Sequence, residues 1–375
     1  MALSPSERTL VMGVLEQGPV SRHELLKTLD LSAPSLTRLS KRFLDSGVFT
    51  EIKNIDAGQD EGLPVGRPSK GYEINAAHGQ VIGVKLTDTN AYGVLTDLTG
   101  RVLESTEVPL PGKTPSDVVG VVVDLVESMR TPEVLGLGVA LGGYVTTEGV
   151  VTRARFLGWR DVDLKKLLEN ALGLPVTVEN DVIALADGLR LFGVAKEESD
   201  FALVTIGAGV GHALVLRNQV VRTEQSGLGL GGHVPLDDSG PCCEVGHKGC
   251  SQAMLSTGAM TAQLAAVLGR EVSYEELLRM AEEGEGAAWA IVEASARSLG
   301  RMLAINANLS AFNVVVLGGE GTGLWDVAEE HVLAELQRYR DPESAPMQVL
   351  VDQSGFGAWA LGAAAVALQT YLNNL

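Results

Sequence analysis

The stretch SAPSLTRLSKRFLD, at residues 32–45, predicts the structure of the first part of the chain. Ser32 is a typical helix N-cap, and a proline in the first turn suits the helix that follows it. Because successive residues of an α-helix are rotated by about 100° around its axis, four apolar side chains fall on one side of this helix: Leu36, Leu39, Phe43 and Leu44. The other side is polar and basic, and it carries Ser35, Thr37, Arg38, Lys41 and Arg42.

Two helical patterns upstream make this the third helix of a set. Capping boxes at residues 4–7 and 21–24, each a serine followed three residues later by a glutamate, open the two earlier helices. Helix, short helix, tight turn and basic helix is the order of a helix-turn-helix, whose last helix enters the major groove of DNA. Arg38 is then the candidate for reading base edges, while Lys41 and Arg42 suit phosphates. Taken alone, the basic face fits a solvated helix surface equally well.

The residues after this helix favour DNA binding. Two strands are predicted at 48–52 and 72–75, and the loop between them ends in Gly66-Arg67-Pro68. Residues 1–75 therefore form a predicted winged helix-turn-helix, with its wing or linker at about 53–71. Arg67, beside glycine and proline, suits a narrow minor groove. A flexible interdomain linker is the alternative for this loop.

Charge is distributed unevenly along the 375 residues. Residues 1–75 hold 9 Lys/Arg and 10 Asp/Glu, a net of −1, while residues 76–375 hold 20 and 37, a net of −17; together they give the formal −18 of the chain. Nucleic acid is therefore expected to contact the first part alone. Three cysteines do not suggest a disulfide framework, and no signal or membrane-spanning stretch is visible. The expected location is the cytoplasm, with no membrane partner.

From residue 76 onward, buried strands alternate with helical patterns, which is typical of an α/β fold. The predicted strands are Val81–Leu86, Ala91–Asp97, Val134–Ala140, Val176–Asp181 and Phe201–Ile206. Glycine-containing and cysteine-containing motifs accompany them in this order: Leu157-Gly158-Trp159, Val178-Glu179-Asn180-Asp181, Ile206-Gly207-Ala208-Gly209-Val210-Gly211, Gly229-Leu230-Gly231-Gly232-His233, residues 243–250 and Val316-Leu317-Gly318-Gly319. This order resembles the ROK family of repressors and sugar kinases over nearly the whole chain. The resemblance implies a two-lobed, actin-like sugar-kinase fold behind the winged helix-turn-helix, with a first lobe at 76–192 plus 357–375 and a second lobe at 193–356.

The segment that should hold ATP phosphates departs from the family pattern. Kinases of the family carry Asp-x-Gly-Gly-Thr where this chain has Lys85-Leu86-Thr87-Asp88-Thr89. Lysine replaces the acid, and the carboxylate of Asp88 would face phosphate oxygens. Kinase activity and bound ATP are therefore not expected.

The resemblance also implies an effector site, formed by Asn180, Asp181, His233 and Gln252. Asp181 matches the catalytic base of the family and can accept a hydrogen bond from a ligand hydroxyl, although a cap at a strand end is an alternative. Leu230 and Gln252 stand where the family has glutamate, and Phe156 stands where it commonly has asparagine. Lost hydrogen bonds weaken binding of an ordinary hexose. A less polar sugar derivative, another metabolite or no ligand at all are the alternatives.

Structural zinc is expected from the same resemblance. The family holds zinc with a histidine and three cysteines, a closed tetrahedral set. His233, Cys243 and Cys250 match, but Val245 replaces the middle cysteine. Cys242 or His247 could supply the fourth ligand, and a metal-free loop is the alternative.

These features predict a DNA-binding transcription regulator, in the form of a repressor gated by a sugar-like or other small-molecule effector between the lobes. It is expected to bind a double-stranded operator as a homo-oligomer, either a dimer or a tetramer. Two other interpretations are a ROK sugar kinase with an N-terminal extension, and a regulator whose vestigial pocket leaves control to a protein partner.

Overall fold

The structure, a computed structural model, describes residues 3–53, 55 and 70–375. The described chain divides into two compact units. The first unit runs up to Phe192 and includes Trp359–Leu375, and the second is Gly193–Ala358. No helix in the described part of the chain is long and apolar enough to cross a membrane.

The N-terminal head is the beginning of the first unit. Its elements are α1 (Pro5–Gln17), β1 (Val20–Ser21), α2 (Arg22–Thr28), α3 (Ala33–Asp45), β2 (Phe49–Lys53) and β3 (Lys70–Ile74). Both predicted capping boxes are present, and the Ser32 side chain caps α3. β3 pairs antiparallel with β2, as the wing prediction requires, and also with the two-residue β1, which was not predicted. Three helices with a small antiparallel sheet are consistent with the winged helix-turn-helix prediction, whose loop at 56–69 lies outside the described residues.

The rest of the first unit is built on a five-stranded sheet in the order β11-β7-β4-β5-β6. Its elements up to Phe192 are β4 (Gln80–Leu86), β5 (Asn90–Asp97), β6 (Val102–Pro109), α4 (Pro115–Met129), β7 (Val134–Leu141), β8 (Tyr144–Val145), β9 (Val151–Ala154), β10 (Trp159–Val162), α5 (Leu164–Leu172), β11 (Val176–Asn180) and α6 (Asp181–Phe192). β4, β7 and β11 run parallel, so their C-terminal ends meet at one edge of the sheet. Asp181 differs from its prediction as the last residue of a strand, because it opens α6.

The second unit carries its own five-stranded sheet, in the order β14-β13-β12-β15-β16. Its elements are β12 (Phe201–Ile206), β13 (Val210–Leu216), β14 (Gln219–Val220), α7 (Ser251–Leu255), α8 (Thr257–Leu268), α9 (Tyr274–Glu282), α10 (Gly286–Ser310), β15 (Val314–Gly318), α11 (Gly323–Arg338) and β16 (Gln348–Val351). β12 and β13 form an antiparallel hairpin in which Ile206 pairs with Val210. The glycine motif at residues 206–211 is the turn of this hairpin.

Helix α12 (Phe356–Asn373) completes the first unit and joins it to the head. It packs tightly on the sheet at two glycines: a Cβ on Gly83 would lie 2.1 Å from the carbonyl oxygen of Ala360, and one on Gly138 only 1.9 Å from that of Ala363. Leu368 of α12 belongs to the same hydrophobic cluster as buried side chains of α1 and α3. The head and the rest of the first unit therefore share one hydrophobic core.

Candidate functional site

The polar face of α3 presents basic groups at the surface of the head. Thr37, Arg38 and Lys41 are exposed, while Ser35 and Arg42 are half-buried. The opposite face is buried, as the helical spacing predicts. Arg67 lies outside the described residues.

Two of the predicted DNA contacts on α3 are already engaged within the chain. The guanidinium of Arg42 donates to the carbonyl oxygen of Leu375 at 2.6 Å and lies 3.3 Å from Oε1 of Glu7. Arg22 of α2 donates to the hydroxyl of Thr37. A phosphate would have to compete with Glu7 for Arg42. The exposed side chain of Arg38, in contrast, makes no hydrogen bond or ion pair with any residue that the structure describes.

A buried ion pair occupies the edge of the first unit's sheet. Lys85, at the end of β4, donates its ammonium to the carboxylate of Asp181, and both residues are buried. Nζ of Lys85 also lies 4.7 Å above the ring of Trp359. The carboxylate that matches the family's general base therefore has its charge compensated by a lysine of the same unit.

Asn180, beside this pair, supports the backbone. Its Nδ2 donates to the carbonyl of Gly143 at 2.9 Å, and its Oδ1 accepts from the amides of Val182 and Ile183 at 3.0 and 3.2 Å. Asn180 therefore caps the first turn of α6, a role that the sequence had offered as an alternative for Asp181.

An aromatic ring lies next to the same carboxylate. A Cβ on Gly142 would be 3.2 Å from Cδ2 of Phe156 and 3.4 Å from Oδ2 of Asp181, so this glycine separates the ring from the acid. Phe156 is 48% exposed. An exposed ring beside a carboxylate is an arrangement that can contact both the apolar face and a hydroxyl of a small polar ligand.

In the second unit, Gln252 of α7 holds the turn of the β12–β13 hairpin. Its Oε1 accepts from the amide of Val210 at 3.1 Å, and its Nε2 donates to the carbonyl of Ala208 at 3.3 Å. A glutamate here could accept the first bond but could not donate the second. Gln252 therefore serves the backbone, and an effector would have to share it with this turn.

Four potential metal ligands converge in the loop before α7. They are His233, Cys243, His247 and Cys250, and their ligand atoms all lie within 4.8 Å of one another. Nδ1 of His233 is 3.9 Å from Sγ of Cys243 and 4.0 Å from Sγ of Cys250. Burial raises the pKa of the Cys250 thiol. Cys242 is exposed and is not a member of the cluster.

The local backbone explains why His247 joins this cluster. The amide of Cys243 donates to the carbonyl of His247 at 2.9 Å, which closes a tight turn around Gly246, whose φ is +89°. Gly249, at φ +57°, leaves no room for a side chain, since a Cβ there would lie 1.5 Å from the carbonyl oxygen of Asp237. This turn brings the side chains of Cys243 and His247 close to that of His233.

The donor set suits a tetrahedral structural metal site. Two histidine imidazoles and two cysteine thiolates are a common set of four ligands for a structural zinc ion. In such a tetrahedral site, neighbouring ligand atoms lie roughly 3.3–3.8 Å apart. The distances between ligand atoms need to shorten by no more than about 1.5 Å to reach that geometry. The residues present therefore fit a bound divalent ion.

Comparison with known proteins places these observations in a family. The ROK family model matches residues 81–370. The chain belongs to the ROK family. The matched residues include the two five-stranded sheets, the Lys85–Asp181 pair and the histidine–cysteine cluster.

Individual relatives include both repressors and kinases. The xylose repressor of Bacillus subtilis (strain 168) is 26% identical over 287 residues, which are 74% of this chain and 72% of that protein. The solved structure of a ROK family transcriptional regulator, a homolog of the E. coli MLC protein, aligns with a TM-score of 0.81 at 23% identity, over 98% of this chain and 96% of that chain. A ROK family glucokinase from Streptomyces griseus, in complex with glucose and AMPPNP, aligns with a TM-score of 0.66 at 28% identity, over 77% of this chain and 99% of that one. The regulator structure thus matches the fold of the whole chain, and the glucokinase covers less of it.

Proposed function

We propose that this ROK family chain is a DNA-binding transcription regulator, and specifically a repressor that a sugar-like small molecule releases from its operator. The observation that carries the proposal is a winged helix-turn-helix head, with exposed Arg38 and Lys41, on a sugar-kinase fold whose catalytic carboxylate is paired with Lys85. The B. subtilis relative is named a xylose repressor, which favours a sugar-like effector. The test is specific binding to operator DNA and its change with added sugar.

DNA recognition is assigned to the head. Arg38 would read base edges, and Lys41 would hold phosphate, with Ser35, Thr37, Arg42 and Arg67 as further contacts. The net charge of −17 on residues 76–375 keeps the remainder of the chain away from DNA. A homo-oligomer, dimeric or tetrameric, would place two heads on a pseudo-palindrome.

Effector recognition in the first unit is assigned to Asn180 and Asp181, with Phe156 as a stacking surface. In the second unit the proposed effector contacts are His233 and Gln252. In the first unit, an effector hydroxyl would compete with Lys85 for Asp181, so binding would loosen a buried ion pair. That pair links β4 to the start of α6, and α6 also contacts the head through Arg190. The ligand would thus act on an element that touches the DNA-binding part, which gives the two sites a physical connection.

Kinase activity is expected to be absent. With MgATP and a panel of hexoses, pentoses and N-acetylated sugars, ADP release by the wild type should equal that of Asp181→Asn, because Lys85 already neutralises this carboxylate. A coupled ADP assay measures both proteins. Sugar-dependent turnover in the wild type that Asp181→Asn abolishes would establish the kinase interpretation instead.

Zinc is the proposed ion at the histidine–cysteine cluster, with His247 in place of the missing third cysteine. Thiolate and imidazole together favour zinc over the harder cations. When bound, the ion would hold the loop at 243–250 against the start of α7, since Cys250 directly precedes that helix. The role is structural, because four protein ligands leave no open position.

Replacing His247 by alanine is expected to reduce zinc from about one ion per chain to a small fraction and to lower the melting temperature by several degrees. Metal content after dialysis and thermal unfolding with and without chelator measure both effects. Cys242→Ser is the matched control in the same loop, and it should retain zinc because Cys242 is exposed and outside the cluster. If His247→Ala retains zinc and Cys242→Ser loses it, the fourth ligand is Cys242 and not His247.

A further inference from the structure

An arginine at the start of α2 lies against α3. The guanidinium of Arg22 donates a hydrogen bond to the hydroxyl of Thr37. Its central carbon is 5.8 Å from the centre of the Tyr72 ring of β3. That ring is buried, and its hydroxyl lies 2.9 Å from Oγ of Ser40 on α3. The guanidinium is therefore held in place by two other elements of the head, which reduces the entropy that it would lose on binding a ligand.

The charge of Arg22 is not compensated by a carboxylate. Arg22 makes no ion pair with any residue that the structure describes, whereas Arg42 lies 3.3 Å from Glu7. A hydroxyl and an aromatic ring orient a guanidinium but leave it charged. The guanidinium also has more N–H donors than the single one that Thr37 receives, and the side chain is only half-buried. It can therefore bind an anion at the surface of the head.

The hydroxyl of Thr37 can act only as a hydrogen-bond acceptor toward a further partner. It donates its single proton to the carbonyl of Ala33 at 3.0 Å, and it accepts from Arg22. One lone pair of the oxygen remains, and Thr37 is exposed on the polar face of α3. In the major groove of DNA, the groups that can donate to such an acceptor are the amino groups of adenine and cytosine.

Arg22 and Thr37 belong to different helices of the helix-turn-helix. The last helix of such a motif reads base edges, while the helix before it crosses the DNA backbone. Thr37 is on the last helix, and Arg22 is the first residue of the helix before it. Arg22 would therefore lie between a backbone phosphate and a side chain that faces the bases.

We propose that Arg22 and Thr37 form one DNA-reading pair, an inference that rests on the proposed operator binding. Arg22 binds a backbone phosphate and at the same time fixes the hydroxyl of Thr37. This hydroxyl accepts a hydrogen bond from the amino group of an adenine or a cytosine. Arg22 is thus a positioning residue for Thr37, and the base preference that Thr37 provides depends on a residue outside α3.

Base preference and salt dependence together test this pair. Fluorescence anisotropy on a labelled fragment of the chain's own upstream promoter, and on versions with single base-pair substitutions, compares the wild type with Thr37→Val, Arg22→Ala and the double variant. Thr37→Val keeps the shape but loses the hydroxyl, so it should weaken binding about fivefold per half-site and lose preference at one adenine or cytosine. Arg22→Ala should relax the same base position and lower the slope of log affinity against log salt by about one per head. The double variant should lose no more preference than either single variant does.

Lys27→Ala is the control, because it removes an equal charge from an exposed position on α2. It should leave the base preference unchanged. If Arg22→Ala keeps the wild-type preference, or if the effects of the two substitutions on preference simply add, the proposal is overturned. If Arg22→Ala loses its cooperative thermal transition, Arg22→Lys decides the question. This variant keeps the charge but not the planar fork, so it should retain the salt slope and relax the base preference.

Failure of the pair is distinguishable from failure of operator binding. Specific binding by the wild type that Arg22→Ala does not alter would overturn the pair alone. Wild-type binding no tighter than to random DNA, at this promoter and at other candidate operators, would overturn the proposed operator binding and the pair with it.

Discussion

Replacing Arg190 by methionine is expected to lower the free energy of unfolding by about 3–5 kcal/mol, the usual cost of removing one partner from a buried ion pair. Arg190 lies on α6, and its guanidinium joins three elements of the first unit. It donates to Asp187 of its own helix at 2.9 Å, to Glu16 of α1 at 2.8 Å and to Gln369 of α12 at 2.7 Å. The Arg190 side chain is 2% exposed and that of Asp187 is fully buried, so the substitution removes a cation that lies beside a buried carboxylate.

Equilibrium urea unfolding, followed by circular dichroism, measures this loss. Arg279→Met is the matched control, because Arg279 pairs with Glu283 at the surface, where an ion pair contributes little. The control should change the free energy of unfolding by less than about 1 kcal/mol. If Arg190→Met lowers the free energy of unfolding no more than the control does, this guanidinium does not hold the head against the rest of the first unit.

Glu16 is expected to tolerate substitution better than Arg190 does. Burial raises the pKa of the Glu16 carboxyl, and Arg190 opposes this only in part. A carboxyl whose pKa is raised by folding favours the folded state at low pH, and this contribution is lost as pH rises through the raised pKa. Glu16→Gln should therefore cost little stability at neutral pH and should flatten the acid side of the stability–pH profile. A loss equal to that of Arg190→Met at neutral pH would mean that the charge of Glu16 stabilises the head after all.

Replacing Arg38 by alanine should weaken specific operator binding by tenfold or more and relax preference at one base position in each half-site. A bidentate arginine–guanine contact is worth about 1–3 kcal/mol of discrimination, and the proposed homo-oligomer would lose it once in each half-site. Arg38 is exposed on α3, so the substitution should not affect folding. Competition with base-substituted operators at constant salt measures both affinity and preference.

Arg8→Ala is the control for charge in the same head. Arg8 is exposed on α1, which is not the helix expected in the groove. Its loss should reduce affinity for specific and random DNA by similar, small factors. If Arg8→Ala and Arg38→Ala weaken operator binding equally, the basic face of α3 is not the reading surface.

Local features of this chain could be predicted because they depend on neighbouring residues. The capping boxes at Ser4 and Ser21, and the buried stripe of α3, follow from spacing within a few turns of helix. β1 escaped prediction because two residues give no alternation, and its pairing depends on β3 about fifty residues later.

The features that concern function are mostly non-local. Lys85 and Asp181 are 96 residues apart, and they meet because β4 and β11 lie on either side of β7. The sequence showed that Lys85 replaces an acid, but its partner required the strand order. Likewise, Cys242 and His247 were equal candidates for the fourth ligand until the turn at Gly246 distinguished them.

We propose that this ROK family protein binds an operator through its head and is released by a small molecule. The test is fluorescence anisotropy on a labelled fragment of its own upstream promoter, at constant salt and with random DNA as competitor. We predict specific binding that one member of a sugar panel weakens, with no effect of MgATP. Binding no tighter than to random DNA, at this promoter and at other candidate operators, would contradict the account.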